Sequence, residues 1–392
     1  MKKIYGIRLL SLFLCSALSM GAQAAVKEEP GFNWKLDGEL QHEDNVYRTL
    51  DRFSQSDTLF VLHPTLHWLG LKGKHRFDFG YEGEYAWYRD VSDLNYNDHH
   101  LKGRARLEHS YRLASELVLG YDRSHDVPGS TDALSLPIGE PDKWWEGYGS
   151  FQLSYGRNDS KGQLVGRIEY HKRRYTNNFQ EYRDYRLTRG VGIFYYRIAP
   201  KTRMLFEVDL DDSHYPNDDL FGLNQTNFEY RLLSGVTWEA TAKTSGTFKI
   251  GYRDRNYDDS RMSDLNGLAL ELDAVWKPNT YTKVTLSASQ NNQNAARQGA
   301  NGYVRRYLRG GIDHAITPRT LLTAHALYGN DKFEGAVNRE DDRWFARIGV
   351  VHSLRRWLYA RAEYRYEERD SNISLYDYKT NIFLIGLEGR FH

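Results

Sequence analysis

From about residue 31 to the C-terminus, apolar and polar side chains alternate with a period of two. In "HRFDFGYEGEYAWY" one register holds Phe77, Phe79, Tyr81, Gly83, Tyr85 and Trp87, and the other holds Arg76, Asp78, Gly80, Glu82, Glu84 and Ala86. Successive side chains of a β-strand point to opposite faces, so this segment predicts a strand with one aromatic and one charged face. "LKGRARLEHSY" sets Leu101, Gly103, Ala105 and Leu107 against Lys102, Arg104, Arg106 and Glu108. "LYARAEYRYE" sets Leu358, Ala360, Ala362, Tyr364 and Tyr366 against Arg361, Glu363, Arg365 and Glu367. Eighteen such segments are readable, near 31–42, 58–68, 76–87, 100–111, 116–123, 145–155, 163–172, 184–196, 203–211, 227–238, 246–253, 267–276, 283–289, 302–314, 321–328, 343–352, 358–367 and 380–391. The pattern is weakest at 116–123 and 283–289, and sixteen strands is the alternative count.

The connectors alternate too. Eight are short, among them "GLKGK", "RLAS" and "IAPKTR", and nine are longer and rich in Asp, Asn, Ser and Gly, such as "DDSHYPNDDLFGLNQT". Short periplasmic turns and long extracellular loops are the pattern of an all-β, antiparallel, up-and-down transmembrane barrel. Hydrocarbon offers no partner to a backbone N–H or C=O, so strands cross it only as a closed sheet, one face to lipid and one to the lumen. A threonine recurs at 202, 244, 282 and 320, about every forty residues. A propeller blade places four strands in that span, whereas only two are readable here. A soluble β-sandwich is the other alternative, and alternating loop lengths argue against it.

Composition fits this reading. The N-terminus, "MKKIYGIRLLSLFLCSALSMGAQAA", has a basic start, an apolar run over 9–18 and an A-x-A site at Ala22–Ala24, so 1–24 reads as a secretory signal peptide and 25–392 as one barrel domain. Cys15, the only cysteine, sits too early in the apolar run, after Leu14, to be an acylated lipoprotein cysteine. The mature chain is therefore expected to hold together without disulfides. No later apolar run is long enough for a transmembrane helix. A mean hydropathy of −0.70 is compatible with a barrel, where only alternate residues meet lipid. Aromatics make up 14% of the chain, with 29 Tyr and 9 Trp, and suit interfacial girdles. The net charge of +1 gives no reason to expect a nucleic-acid partner; lipid of the outer membrane is the expected surrounding.

Catalytic motifs are missing. No G-x-S-x-G elbow or H-E-x-x-H occurs, and His99, His100, His109, His171, His214 and His325 stand without a matched Ser and acid, so no enzyme, metal or cofactor is expected. The acidic run containing Asp211, Asp212, Asp218 and Asp219 lacks EF-hand spacing. The expected functional surface is the lumen. Its candidates are Arg104, Arg106, Arg167, Arg231, Arg305, Arg309, Arg343, Arg347, Arg361 and Arg365, with Glu82, Glu84 and Glu363 among the acids. These charges read either as mutually paired walls of a wet channel or as a path in which arginine forks grip carboxylate or phosphate. Segment 124–144 is the longest connector and the candidate gate, through Asp126, Pro128, Pro137, Glu140 and Asp142. Its carboxylates are expected to pair with Arg104 and Arg106.

"DNVYR" after the first strand, "SDT" opening the second, His63-Pro64 within it and the following G-Y-x-G-x-Y-A-x-Y resemble an outer-membrane β-barrel porin family whose members accompany exopolysaccharide and capsule loci. The motifs concentrate in 43–100, while the strand pattern extends the resemblance over the mature chain. The resemblance implies a channel through which a secreted polysaccharide leaves the cell, working with periplasmic export proteins, and carries no catalytic residues. Passive diffusion of small hydrophilic solutes is the alternative function, and an outer-membrane enzyme or adhesin a more distant one.

Overall fold

The computed structural model describes residues 30–131, 139–241, 243–297, 299–335 and 338–391. Pro137 and the expected signal peptide lie outside them. Eighteen antiparallel strands form a single sheet: β1 Gly31–Glu43, β2 Asp57–Lys72, β3 His75–Tyr88, β4 Tyr96–Glu108, β5 Leu113–His125, β6 Lys143–Tyr155, β7 Gly162–Tyr175, β8 Tyr185–Ala199, β9 Thr202–His214, β10 Asn227–Thr241, β11 Thr244–Tyr257, β12 Leu265–Trp276, β13 Thr282–Asn294, β14 Gly302–Thr317, β15 Thr320–Glu334, β16 Glu340–Ser353, β17 Leu358–Ser371 and β18 Tyr378–Phe391. Each strand pairs with its sequence neighbours, and β1 pairs with β18 from Trp34↔Phe391 to Glu43↔Ile382, which closes the barrel. The count is eighteen rather than sixteen. Strands are longer than the readable alternation: β5 extends to Leu113 and His125, where polar residues interrupt the pattern but pairing to β6 persists.

The faces follow the side-chain parity. Leu119, Phe151, Ile168, Phe206, Leu232, Ile348 and Ile385 are all exposed on the outside. An apolar belt of this extent belongs against lipid. At the turn end, Trp34 stacks on Phe391 at 3.9 Å across the closing seam and Trp357 lies 5.7 Å from the same ring, forming part of an aromatic girdle.

The inner face is less uniform than its charges suggest. On β7–β9, Val165, Val191, Ile193 and Leu205 form a buried apolar cluster among lumen-facing positions. Pairing is also incomplete in one seam. Between β12 and β13 it runs only from Leu270↔Gln290 to Trp276↔Val284. Above this level side chains satisfy the released carbonyls: Asn292 Nδ2 donates to Leu265 O at 3.0 Å, Gln290 Nε2 to Leu268 O at 3.0 Å, and Arg253 Nη1 to Leu268 O at 2.8 Å. A backbone carbonyl left unpaired at membrane depth costs several kcal/mol, which accounts for this polar filling.

Nine long loops cap one end: L1 44–56, L2 89–95, L3 126–142, L4 176–184, L5 215–226, L6 258–264, L7 295–301, L8 335–339 and L9 372–377. The turns at the other end are short, down to two residues at 73–74 and 200–201.

Candidate channel lining and mouth

Two loop systems cross the extracellular mouth. L3 leaves β5 and reaches β16 and β17, a third of the way around the barrel. Arg369 Nη1 donates to Thr131 O at 2.9 Å and to Gly129 O at 3.5 Å, and Arg343 Nη1 to Ser130 O at 3.5 Å. Gly129 has φ +71°, and a Cβ there would lie 2.6 Å from the Arg48 Cβ of L1, so glycine is required where the two loops touch. Arg48 in turn donates from Nε to Glu367 at 2.9 Å on β17. The second system joins L4, L5 and L7: the Tyr182 hydroxyl donates to Ala296 O at 2.5 Å and Gln225 Nε2 to Ala295 O at 2.9 Å.

The carboxylates of L3 do not meet Arg104 and Arg106. Asp126 accepts from Arg183 Nη2 at 2.7 Å and Trp144 Nε1 at 3.0 Å, Asp142 lies 3.3 Å from Arg183 Nη1, and Glu140 pairs with Lys143. The expected pairing fails on length. Arg104 and Arg106 lie eight and ten residues down β4 from Tyr96, roughly 26–33 Å at the rise of a strand. They bond instead to Glu116 at 2.6 Å and Glu108 at 2.9 Å near the turns. Pro128 lies in the described arm of L3, next to Gly129. Burial holds the Asp142 carboxyl above the usual carboxylate range, against the opposing effects of the Asn178 amide and Arg183.

Below the mouth, two walls carry the charge differently. On β9–β12, Arg231 bonds to Asp209 and to Glu271 at 2.9 Å, while Lys249 lies 2.8 Å from Glu207 and 3.1 Å from Glu271. On β17, Arg361 reaches over β18 to Asp37 at 2.9 Å and to Glu39, and its Nε lies 3.2 Å from where a Gly386 Cβ would sit. Gly386 therefore leaves room for an ion pair that bridges the closing seam. Arg167 pairs with Glu169 at 2.5 Å and Arg305 grips Asp331 with two bonds of 2.7 Å. Glu84 accepts from the Tyr96 hydroxyl at 2.5 Å, while Glu82 is exposed to the lumen.

The β16–β17 wall departs from this pairing. Arg343 stands directly opposite Arg369, and Arg347 opposite Arg365. Like charges opposite one another in a sheet repel. The upper rung receives the L3 carbonyls, and Arg343 also lies 3.0 Å from Asp331. In the lower rung Arg365 bonds to Glu363, whereas Arg347 makes no hydrogen bond or ion pair with a described residue. Arg309 faces the lumen on β14, beyond β15, its guanidinium 5.9 Å from the Tyr307 ring.

Sequence reasoning missed one constellation. Ser124 Oγ donates to Asp98 Oδ2 at 2.6 Å, and His125 Nδ1 lies 3.0 Å from Asp98 Oδ1. The serine is bonded to the acid and not to the imidazole, so this is not the relay that activates a nucleophile. No group of three or more metal-ligating side chains occurs among the described residues.

A closed eighteen-stranded barrel with a lipid belt, a charged lumen and loops over its mouth defines an outer-membrane channel of the porin class. The chain belongs to the family described as "Putative beta-barrel porin 2", whose sequence profile matches residues 33–391. Among solved structures, it is similar to a BenF-like porin from Pseudomonas fluorescens Pf-5 (11% identity, TM-score 0.51, covering 92% of this chain and 98% of that one). It is also similar to Pseudomonas aeruginosa OccK2 (OpdF) in complex with glucuronate (12% identity, TM-score 0.50, 92% and 98% covered) and to Pseudomonas aeruginosa OpdO (13%, 0.50, 92% and 97%). Comparison with curated protein sequences finds no match.

Proposed function

We propose that the chain is a passive channel for small hydrophilic solutes, with a preference for anions set at the β16–β17 wall. The observation that carries this reading is the lower arginine rung, Arg347 opposite Arg365 with Arg347 unpartnered among the described residues. A guanidinium with no hydrogen-bonded acid of its own offers a fork to a carboxylate, while Glu363 and Asp313 act on it only at a distance. The rung lies four residues deeper than Arg343 on β16, roughly 13 Å below the L3 carbonyls. A solute that clears the mouth meets it next. Passage of a secreted polysaccharide, with periplasmic export partners, is the weaker reading. A polymer meets two anchored loop systems at the mouth, L3 on Arg343 and Arg369 and L4 on L7, and needs more room there than a small solute.

Planar-bilayer reversal potentials under a salt gradient test this. The native channel is expected to be anion-selective, Arg347→Glu to lose or invert that selectivity, and glucuronate to cross faster than an uncharged sugar of equal size in vesicle swelling. Equal selectivity in the native and Arg347→Glu channels sinks the proposed role of the rung.

A further inference from the structure

Around the outside of the barrel, the loop ends of the strands carry opposite charges on two sectors. On β5–β8, Arg123, Lys172, Arg174 and Arg186 all fall in the lipid-facing parity, and none forms an ion pair with a described residue. Trp145 stands in register between Arg123 and Arg174, with the Lys172 ammonium 5.7 Å from its ring. On β16–β17, the same parity carries Glu340, Asp342, Glu368 and Asp370. Four cations without an ion pair at one outer rim, two of them within electrostatic reach of Asp184, form an anion-binding surface at the height of lipid headgroups.

The cationic sector borders a break in the wall. β4 and β5 cease to pair above His99↔Arg123, although β4 begins at Tyr96 and β5 continues to His125. A cavity of about 620 Å³ opens at this notch, with Trp87, Tyr121 and Trp145 among its walls and Asp98 and His125 within. The volume is that of a small-molecule site. His125 is 7% exposed, its ring lies tilted 4.0 Å from that of Tyr96, and Asp98 occupies Nδ1. No described residue bonds its Nε2. Aromatic faces beside a buried, half-satisfied imidazole suit a sugar ring, whose C–H faces stack on indole and phenol while its hydroxyls bond.

We infer that the β5–β8 rim binds a phosphorylated glycolipid of the outer leaflet, with phosphates on Arg123, Lys172, Arg174 and Arg186 and a headgroup sugar in the β4–β5 notch. The lipid source is favoured because the four cations face the membrane, not the lumen. A lipid held there braces the loop ends of β4 and β5 where backbone pairing is missing.

Native mass spectrometry of the mature barrel in neutral detergent tests this, with a bis-phosphorylated, acylated glucosamine disaccharide as the probe. The native protein is expected to retain one molecule of it. A variant carrying Arg123→Ser, Lys172→Ser and Arg174→Ser should bind at least tenfold more weakly, and Asn97→Trp, which fills the notch, severalfold more weakly. Glu368→Gln with Asp370→Asn on the acidic sector should leave binding unchanged. Each variant is first shown to be a closed barrel by its faster migration on unheated SDS gels; if the triple variant fails that check, Arg123→Ser alone replaces it. Undiminished binding by the cation variants overturns the proposal. Equal retention of phosphatidylglycerol overturns the sugar notch, and equal binding of the unacylated disaccharide phosphate overturns the membrane source.

Discussion

Two stretches of the inner wall use the same residue types to different ends. On β9–β12 Arg231 lies between Asp209 and Glu271, and Lys249 between Glu207 and Glu271, although Arg231 itself stands opposite Arg253. On β16–β17 arginine faces arginine on two rungs, with Phe345 opposite Glu367 between them. The first arrangement holds both cations in ion pairs within the wall. The second takes its upper compensation from loop carbonyls and leaves its lower rung open to whatever enters the lumen. Neither arginine content nor the directly opposed residue distinguishes the two, since Arg231 also faces Arg253; the acids within ion-pair distance do.

The largest effect is expected from breaking the compensated wall. Glu271 is 5% exposed and serves both Arg231 and Lys249, so Glu271→Ala leaves two buried cations short of a partner. Removing one member of such a network costs about 3–5 kcal/mol. The expected result is a lower urea midpoint for the barrel refolded in lipid vesicles. Arg347→Ala, on the open wall, should shift that midpoint by less than about 0.5 kcal/mol. Equal losses would erase the contrast between the walls.

Next comes the loop that compensates the upper rung. Replacing 127–142 with a short Gly-Ser link removes the carbonyls that Arg343 and Arg369 hold. The barrel should still close, because every strand pairing is untouched, while single-channel conductance rises severalfold and anion selectivity strengthens. Unchanged conductance in a correctly inserted channel would place L3 outside the conducting path.

What the sequence made legible is what lipid enforces. A residue such as Phe79 or Leu119 faces hydrocarbon whatever its neighbours do, so parity alone placed the strands and their outer faces. The inner wall follows other rules. Around Val191 and Ile193 both parities are apolar, so the alternation that revealed the strand did not reveal the buried cluster these residues form with Val165 and Leu205. The anchoring of L3 joins Thr131 to Arg369, 238 residues later, through a backbone carbonyl that carries no residue signature. The Asp98–His125 contact was hidden because parity sends the two residues to opposite faces; they meet only where β4 and β5 stop pairing. Arg347 was readable as a lumen charge, but its lack of an acid partner depends on register.

The smallest expected effect sharpens the role of the loop contacts. Asp142 accepts from Asn178 Nδ2 at 2.8 Å and lies beside Arg183, yet burial holds its carboxyl above the ordinary value. A group that binds its proton more tightly when the loops are docked than when they are free stabilises docking as pH falls. That contribution is complete below the ordinary carboxylate pKa and is lost as pH rises through the raised one. Docking of L3 on L4 should therefore be firmer at mildly acidic pH than at neutrality, although acid weakens the Asp142–Arg183 ion pair. Asp142→Asn imitates the protonated form while keeping an oxygen for the Asn178 amide. Its channel should gate less often at pH 7 and lose the native pH dependence. More frequent gating in Asp142→Asn at pH 7 would mean that the ion pair with Arg183, and not the burial of the carboxylate, governs the loop.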